Sequence, residues 1–287
     1  MDTSTLSVAF IPREKYSKSV ESLEALVGEL PISSQIVIFD TGYPKCIKEE
    51  LLGIVTRLKL QHVVDIVELG GFVNTNKILN IFIKMAKSER LMCLENDVVI
   101  NTGCIKASLE ALDNSEGDFI VPKVYEGELL IPHFNPSVSE IIRIKDGQLR
   151  SFLDRGRHDE KPLISGRVIK HLERHCFFTK KSTIKILGGF DEEMHCRTDI
   201  DLSLCAFKKN LTIYIPELGS VVFYPKPSAT IDDEIFPKRW DVESVRCAQE
   251  RLVEKHKLYR FKTSIDHAYR AVASFKDEIS KHREMKI

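Results

Sequence analysis

The chain contains 287 residues, of which 43% are hydrophobic and 29% are charged, a balance typical of a soluble globular protein with enough apolar residues for a large core. Its 42 basic and 42 acidic side chains cancel, so the net charge gives no reason to expect nucleic acid as a partner. No apolar run reaches the roughly 20 residues that cross a bilayer, and the first residues lack the pattern of a secretory signal. These features predict a cytoplasmic protein without an integral membrane segment, and they leave peripheral membrane binding and a homodimer open.

The seven cysteines are widely scattered along the chain. An odd number of cysteines without paired spacing argues against both a disulfide framework and a zinc site. We therefore expect reduced thiols throughout. Cys93, which lies inside an apolar run, is expected to be a small core residue.

Short apolar runs alternate with amphipathic helical segments through the first half of the chain. Strands are predicted over residues 6–11, 35–39, 62–67 and 118–122, and in the apolar run that begins at Leu91 and leaves the sheet at Glu95 and Asp97. Helices are predicted over residues 16–30 and 45–57, directly after the turn at 70–76, and over 104–112. Strands that alternate with helices of about ten residues or more require crossover connections. The sequence therefore predicts an α/β fold with a Rossmann-like, mainly parallel central sheet and helices on both faces.

The second half of the chain is less regular. Residues 125–166 contain many glycines, prolines and charges, which predicts short antiparallel strands and loops, a typical place for ligand recognition. Further strands are predicted over residues 175–179, 211–215 and 220–224, with a helix beginning near residue 198. Two C-terminal helices, over residues 241–257 and 263–283, are predicted to form an appendage or lid.

Four loops of this pattern carry unusual residues where strands end or helices begin. They contain Asp40, the segment 70–76, the pair Glu95 and Asp97, and the pair Asp199 and Asp201. In a doubly wound sheet, loops at the carboxyl ends of strands meet at one crevice. Each loop also has a purely structural explanation, so their convergence is what indicates a functional site.

Glu95 and Asp97 come directly after a buried apolar run. As two hard oxygen donors they could hold a magnesium or manganese ion, which would in turn hold a diphosphate. The alternative is a polar turn that closes an ordinary strand. Asp40 has a similar pair of interpretations, because its carboxylate could accept the imide N–H of a uracil ring or simply shape the turn that follows.

Two glycine pairs also have two interpretations. The pair at residues 70–71 is either a flexible turn or a place where the backbone approaches a diphosphate. Asn74, Asn76 and Lys77, at the start of the following helix, would then supply donors and one positive charge. The pair at residues 188–189 is either a plain turn or a position where only glycine permits the close approach of a ligand.

The helix predicted near residue 198 begins with two acids. Thr198 and Asp201 have the spacing of a capping box, and this structural role is favoured for Asp201. Asp199 is explained less well by capping, although an acid in the first helical turn also favours the helix dipole. A carboxylate held near the crevice could act as a general base toward an attacking hydroxyl group.

In chain order, these motifs resemble those of a family 2 glycosyltransferase with the GT-A fold. The resemblance rests on Asp40 after a strand, Gly71-Phe72 with Asn76, Glu95-Asn96-Asp97, Gly188-Gly189-Phe190-Asp191-Glu192 and Asp199-Ile200-Asp201-Leu202. It extends over roughly residues 6–225, and the last two motifs are its most specific part. The resemblance implies that a sugar moves from a nucleotide-diphosphate donor, usually UDP-linked, to an unidentified acceptor with inversion. It also implies a divalent metal, Mn²⁺ or Mg²⁺, that bridges the phosphates.

The resemblance further implies roles for individual residues. Pro12 and Asp40 would line the nucleoside site. Asp97 would be the main metal ligand, with Glu95 beside it as a second ligand and a contact to the nucleotide sugar. Asp199 would be the catalytic base that deprotonates the acceptor.

Four more residues are assigned to nucleotide-sugar binding, namely Asn76, Lys77, Asn96 and Gly189. Residues 1–225 would form the GT-A domain, with a nucleotide-sugar-binding part over 1–122 and an acceptor and catalytic part over 123–225. Residues 226–287 would form a C-terminal helical extension.

The chain departs from the family pattern at several positions. The first acid of the metal motif is Glu95 rather than Asp, and Thr198 stands where the family often has Glu. A third metal ligand, often a histidine after the last strand, has no match, because residues 223–225 are Phe-Tyr-Pro. His133 and His175 lie near the predicted site, but lone histidines in such places are more often structural.

The sequence is compatible with two other functions. One is a sugar nucleotidyltransferase, although residues 11–14 lack the expected glycine-rich loop after the first strand. The other is a protein that binds a nucleotide sugar without turnover, which the altered metal motif and the missing histidine keep in consideration.

Overall fold

The computed structural model describes residues 5–259 and residue 273, except residue 62 and the segments 134–135, 137–138, 154–164, 226–229 and 233–234. The helix predicted over residues 263–283 lies outside the described residues apart from residue 273. Part of the irregular segment predicted over 125–166 lies outside them as well.

Four parallel strands form one half of the main sheet, in the order β4-β1-β2-β3. They are β1 (Ser7–Ile11), β2 (Gln35–Asp40), β3 (Val64–Glu68) and β4 (Arg90–Glu95). The helices that connect them are α1 (Ser19–Glu29), α2 (Lys45–Arg57) and α3 (Thr75–Met85). This half follows the predicted alternation of strands and helices, and α2 has the predicted bounds.

Four later strands extend this sheet to eight, in the order β11-β13-β6-β12-β4-β1-β2-β3. They are β6 (Phe119–Ile120), β11 (Arg167–Ile169), β12 (Cys176–Lys180) and β13 (Ile213–Ile215). Strand β12 is antiparallel to both of its neighbours, β4 and β6. Strand β11, at the edge of the sheet, is antiparallel to β13. The sheet is thus mainly parallel, as predicted, with two antiparallel strands, one next to β4 and one at the edge.

A second, smaller sheet has the order β5-β14-β7-β8. Its strands are β5 (Val98–Ile100), β7 (Lys123–Glu126), β8 (Ile131–Pro132) and β14 (Ser220–Phe223). The prediction that the apolar run before the two acids is a buried strand leaving the sheet at these acids is confirmed, because β4 ends at Glu95. The chain then turns and enters the small sheet at Val98, where the sequence did not predict a separate strand. The apolar residues on both sides of the turn look alike in the sequence, whereas their strand partners differ.

The remaining elements lie in the second half of the chain. The helices are α4 (Cys104–Asp113), α5 (Lys181–Leu187), α6 (Thr198–Lys208), α7 (Phe236–Arg239) and α8 (Val242–His256). Strands β9 (Glu140–Arg143) and β10 (Leu149–Phe152) form an antiparallel hairpin. The sequence did not predict α5, since seven residues are too few to show a helical period.

The main sheet is buried on both faces. Successive residues of β1 belong to different apolar clusters, with Val8 and Phe10 on one face and Ala9 and Ile11 on the other. Packing on both faces fixes the strands and therefore the positions of the loops at their carboxyl ends. All seven cysteines are free thiols, as expected, and Cys93 is buried in the core.

A third apolar cluster joins α8 to the rest of the chain. Leu252 and Ala248 of α8 pack with Ile200 and Leu204 of α6, and Leu149 of the β9–β10 hairpin belongs to the same cluster. The first C-terminal helix thus has a buried apolar face against α6, the helix that begins with the two predicted site acids.

Candidate active site

Glu95 and Asp97, here called the acidic pair, lie at the carboxyl end of β4 in the middle of the main sheet. Glu95 ends β4 and pairs with Ile11 of β1, while Asp97 lies in the turn before β5. Both side chains are buried, and among the described residues neither carboxylate oxygen of Asp97 has a hydrogen-bond partner. Burial raises the pKa of Asp97 to about 7; the nearby Lys15 opposes this shift and Glu95 adds to it.

The carboxylate of Glu95 has the opposite electrostatic environment. Its Oε2 accepts hydrogen bonds from Nη1 of Arg13 at 2.7 Å and from Nδ1 of His175 at 2.6 Å. Its Oε1 lies 3.7 Å from Nη2 of Arg174. Burial opposes ionisation, but Arg13, His175 and Arg174 together lower the pKa of Glu95 to about 2. Glu95 is therefore ionised, whereas Asp97 titrates near neutral pH.

Four basic side chains, here called the cation cluster, surround the acidic pair. Arg13 and Lys15 follow β1, Arg174 precedes β12, and Arg239 ends α7. Lys15, Arg174 and Arg239 are each exposed by 7% or less. Among the described residues, Nε of Arg239 has no hydrogen-bond partner. Buried cations are costly without nearby anions, so this arrangement is suited to an anionic ligand such as a phosphate.

Asn96, predicted to contact the nucleotide sugar, is bonded to the segment between β1 and α1. Its Nδ2 donates to the carbonyl oxygen of Lys15 at 2.5 Å and to Oγ of Ser19 at 2.7 Å, and its Oδ1 accepts from the N–H of Arg13 at 3.0 Å. Both amide donors are thus used within the protein. Asn96 therefore holds the segment that carries Arg13 and Lys15 against the acidic pair.

Asp40 ends β2 at the same edge of the sheet, and β1 lies between β2 and β4. Its Oδ1 accepts the N–H groups of Gly42 and Tyr43, both at 2.8 Å, and its Oδ2 lies 2.9 Å from Nζ of Lys48. Burial opposes ionisation, but these donors lower the pKa of Asp40. Asp40 thus shapes the turn that follows β2, which is one of the two roles predicted for it. Its contact with a nucleoside stays a prediction. Pro12 is buried directly after β1.

Asn76, near the start of α3, connects two parts of the site. Its Nδ2 donates to the carbonyl oxygen of Asp191 at 2.8 Å, and its Oδ1 accepts from Nη1 of Arg174 at 3.0 Å. The side chain is 2% exposed. Asn76 thus positions Arg174, which lies beside Glu95, and ties the loop after α5 to α3.

None of the described contacts of Lys77 and Gly189 is with the acidic pair. The backbone N–H of Lys77 donates to Oδ1 of the helix cap Asn74, and its side chain is exposed. Gly189 has a φ of +88°, and a Cβ at this position would lie 3.2 Å from Oδ1 of Asn80. The positive φ and the nearby Asn80 explain by local structure why a glycine occupies this position. A contact of either residue with a nucleotide sugar stays a prediction.

Asp199 lies half-buried in the first turn of α6. It is within electrostatic range of Arg174, the guanidinium that also faces Glu95. Burial lowers the pKa of Arg174 to about 10, while Glu95 and Asp199 both oppose this shift. The fold therefore brings the predicted base Asp199 and the acid Glu95 to a common arginine.

The capping box predicted for Thr198 and Asp201 is wrong. Arg197, with a φ of 55°, occupies the N-cap position of α6, and no side chain caps the helix. The carboxylate of Asp201 lies 2.7 Å from Nε2 of His256 and 2.8 Å from Nζ of Lys255, both in α8. A contact between distant segments has replaced the local one that the spacing suggested.

Sequence reasoning missed the cation cluster and the position of His175. Arg13 follows Pro12 directly after β1, so the rule that sheet edges bind ligands could have selected it. No third metal ligand was found in the sequence, yet His175 offers an atom within 4.8 Å of ligand atoms from Glu95 and Asp97. Carboxylate oxygens suit Mn²⁺ and Mg²⁺, and the buried oxygens of Asp97 could bind an ion. These residues therefore fit the predicted divalent metal.

The strand order, the second small sheet and the acidic turn after β4 define a GT-A fold, and solved structures resemble this chain. A structure of GalNAc-T7 with UDP, GalNAc and Mn²⁺ gives a TM-score of 0.63 at 13% identity and covers 88% of this chain and 47% of that one. A structure of S. aureus TarS gives a TM-score of 0.54 at 16% identity, with coverage of 94% and 42%. A structure of residues 1–349 of S. aureus TarS with UDP-GlcNAc gives a TM-score of 0.54 at 16% identity. This match covers 89% of this chain and 73% of that one. The predicted fold class is confirmed.

The likeness has a limited extent. The chain spans less than half the length of GalNAc-T7 and of the longer TarS chain, at 47% and 42%. Neither a protein-family model nor a curated protein matches the sequence. Within the part of the chain that the structure describes, none of the helices has both the length and the apolar character needed to cross a membrane.

Proposed function

We propose that this protein is a glycosyltransferase that moves a sugar from a UDP-linked donor to an acceptor hydroxyl group with inversion, assisted by a divalent metal. The observation that carries this proposal is the buried turn after β4. There neither carboxylate oxygen of the buried Asp97 has a hydrogen-bond partner among the described residues, and four basic side chains, three of them buried, surround the acidic pair. The GT-A fold supports the proposal, and two of the similar structures named above contain UDP or UDP-GlcNAc.

The acidic pair would hold the metal. Asp97 would be the principal ligand because both of its oxygens are available, whereas Glu95 already accepts bonds from Arg13 and His175. In this arrangement His175 orients Glu95 by donating from Nδ1. When bound, the ion supplies Lewis-acid stabilisation of the departing diphosphate. Mn²⁺ in the GalNAc-T7 structure makes manganese the first ion to test.

The cation cluster would bind the diphosphate directly. Arg13, Arg174 and Arg239 present guanidinium groups that are held in place before the ligand binds, and Lys15 adds a compact charge. Fixed cations in a buried site stabilise charge that develops in the transition state, at little cost of reorganisation. Asn96 and Asn76 contribute indirectly, since they position Arg13, Lys15 and Arg174.

Asp199 would act as the general base. Its carboxylate would accept the proton of the acceptor hydroxyl while the hydroxyl oxygen attacks the anomeric carbon from the face opposite the diphosphate. The bond between that carbon and the diphosphate oxygen breaks in the same displacement, so the configuration at carbon inverts. Transfer thus requires Asp199 for chemistry and the acidic pair for the donor.

Calorimetric titration with UDP and UDP-GlcNAc, with and without Mn²⁺, tests the donor site. We expect Mn²⁺ to raise the affinity of the wild-type protein for UDP by at least about tenfold, and to have no such effect in Asp97→Asn. Asp113→Asn is the matched control, since this exposed acid bonds Arg90 at the surface. Absence of UDP binding, or an equal Mn²⁺ effect in Asp97→Asn, would contradict the proposal.

A further inference from the structure

The outer surface of α3 and α5 carries lysines and isoleucines. A groove of about 490 Å³ lies between the two helices, and its lining includes Ile83 and Lys84 of α3 and Ile184 and Lys185 of α5. We propose that this surface, here called the basic face, docks the protein on a membrane that contains anionic phospholipids. The residues of the basic face are Lys77, Ile83, Lys84, Lys181, Lys185 and Ile186.

The lysines of the basic face lack the acidic neighbours that other helices of this chain provide. Nζ of Lys45 lies 3.7 Å from Oε1 of Glu49 in α2, and Nζ of Lys106 lies 4.0 Å from Oε1 of Glu110 in α4. Neither α3 nor α5 contains an acidic residue. Among the residues that the structure describes, none of the four lysines of the basic face forms an ion pair. The chain is neutral as a whole, so this face is a local region of positive charge.

Two glutamates border the basic face and reduce its charge without cancelling it. Glu192 lines the groove, and its Oε1 accepts a hydrogen bond from Nδ2 of Asn80 at 2.8 Å. Oε1 of Glu89 accepts the backbone N–H of the second residue of α5 at 2.9 Å. Nζ of Lys181 donates to the carbonyl oxygen of Ala86, which holds this ammonium group at the groove. Four lysines against two glutamates leave an excess of two positive charges.

The lysines of the two helices lie on the same side of the molecule. Lys77 and Lys84 are seven residues apart in α3, and Lys181 and Lys185 are four residues apart in α5, so each pair shares one side of its helix. Buried residues of both helices belong to one apolar cluster on a single face of the main sheet. Lys77, Lys84 and Lys185 are exposed. The ammonium groups therefore face away from the sheet, where one extended surface can meet them together.

The composition of the basic face favours lipid over protein or nucleic acid as the partner. Protein interfaces are enriched in arginine and aromatic residues and depleted of lysine. Proteins that bind single-stranded nucleic acid stack aromatic side chains on the bases. Neither α3 nor α5 contains an arginine, and their one aromatic residue, Phe82, is buried. Lysines beside exposed aliphatic side chains are typical of protein surfaces that lie on anionic membranes.

The isoleucines of the basic face accompany the lysines. Ile186 is 54% exposed beside Lys185, and Ile83 is half-buried at the groove. An exposed aliphatic side chain gains free energy when it enters the region between lipid headgroups. Within the groove, Lys84 lies on the α3 side and Lys185 on the α5 side. A headgroup phosphate placed there would have an ammonium group on each side.

Docking through the basic face would hold the candidate active site near the membrane. Asn76, in the first turn of α3, accepts a hydrogen bond from Arg174 of the cation cluster. The groove extends to Gly189, two residues before Asp191, whose carbonyl oxygen accepts from the same Asn76. The basic face and the site thus share α3 and the loop after α5. Docking itself does not require sugar transfer.

The test is binding of the purified full chain to lipid vesicles, measured by sedimentation. Vesicles of phosphatidylcholine alone are compared with vesicles of phosphatidylcholine and phosphatidylglycerol in equal parts. We expect the wild type to bind the anionic vesicles at least about tenfold more tightly and to lose this preference as salt is added. Each lysine near an anionic surface adds roughly fivefold to the affinity, so Lys84→Gln/Lys185→Gln should bind about 25-fold more weakly. Ile186→Ser should bind more weakly as well.

Lys45→Gln/Lys106→Gln is the matched control. It also removes two positive charges from exposed helical positions, but from α2 and α4, outside the basic face. This double variant should bind the anionic vesicles as the wild type does. Melting curves show that each variant is folded, and the comparison of the two vesicles with the wild type is decisive without any variant.

The proposal is overturned if the wild type binds both kinds of vesicle equally, or if the two double variants lose binding to the same extent. Calorimetric binding of glycerol 3-phosphate that is as tight as vesicle binding, and is lost in Lys84→Gln/Lys185→Gln, would assign the face to a soluble anion and overturn it too. The same result with single-stranded RNA would assign the face to nucleic acid. UDP binding is recorded in parallel, so a failure of the proposed function leaves the vesicle result unchanged.

Discussion

Asp97 and Asp201 show how one functional group acquires two roles in the same fold. Asp97 is fully buried and, among the described residues, has no hydrogen-bond partner. Asp201 is also buried, but its carboxylate contacts His256 and Lys255. A buried acid that lacks partners destabilises the protein when ionised, which indicates a ligand-binding role; a buried acid with partners stabilises the fold.

The variant Asp97→Asn should be more stable than the wild type at pH 8 when metal and nucleotide are absent. Burial raises the pKa of Asp97 in the folded state to about 7, above its value in the unfolded chain. Stability is therefore present at low pH and is lost as the pH rises from about 4 to about 7. An amide avoids this loss, so the gain in Tm should be several degrees at pH 8 and much smaller at pH 4.5. A lower Tm of Asp97→Asn at pH 8 would show that the charge has partners after all.

Individual residues could be predicted only where position alone decides their role. The acidic pair was identifiable because two carboxylates follow a buried run at the edge where ligands bind. Asn96 was assigned to the ligand, yet its amide bonds to Lys15 and Ser19, more than 70 residues earlier in the chain. His175 looked like a lone histidine because Glu95, its partner, is 80 residues away. Such partners become visible only when the strands are paired.

Among the elements, α8 shows how charge and apolar packing combine to dock a helix. Its apolar residues pack on α6, while Arg251 and Lys255 bond the carboxylate of Asp191. His256 and Lys255 bond Asp201 on the other side. These contacts fix both the loop before α6 and α6 itself, the helix that carries Asp199.

Asp201→Asn should therefore destabilise the protein without touching the proposed chemistry. Loss of the charge leaves the buried His256 without its anion and removes one of the two carboxylates that bond Lys255, a cost of about 1–3 kcal/mol in the free energy of unfolding. Urea denaturation measures this difference. The exposed pair of Asp113 with Arg90 is the control, and Asp113→Asn should cost about 1 kcal/mol or less. Equal effects of the two substitutions would show that α8 does not depend on Asp201.

Long and regular elements could be predicted from the sequence, whereas short ones could not. Helix α2 was predicted to its exact bounds because its apolar residues repeat at helical spacing and Pro44 precedes it. Helix α5 is too short to show a period. The boundary between β4 and β5 depends on which distant strands accept each half, namely β1 and β12 for one and β14 for the other.

At the scale of the whole molecule, the parallel half of the sheet followed from the alternation of strands and helices, since parallel neighbours require crossovers. The antiparallel insertion of β12 and the separate small sheet could not be predicted, because both depend on pairing between segments far apart in the chain. The insertion of β12 brings His175 and Arg174 to Glu95, and the small sheet brings His133 against His175. The part of the site that the sequence missed is thus the part built by long-range pairing.

Sugar transfer by Asp199→Asn and Asp201→Asn tests the central claim most directly. These substitutions remove the same charge from the same helix, two residues apart. UDP release from UDP-GlcNAc is measured with Mn²⁺ and a panel of acceptors, alongside calorimetric UDP binding. The account predicts that Asp199→Asn binds UDP normally but transfers at least about 100-fold more slowly. It also predicts that Asp201→Asn, assayed below its melting temperature, transfers at the wild-type rate. Wild-type transfer by Asp199→Asn would contradict the proposed role of this carboxylate.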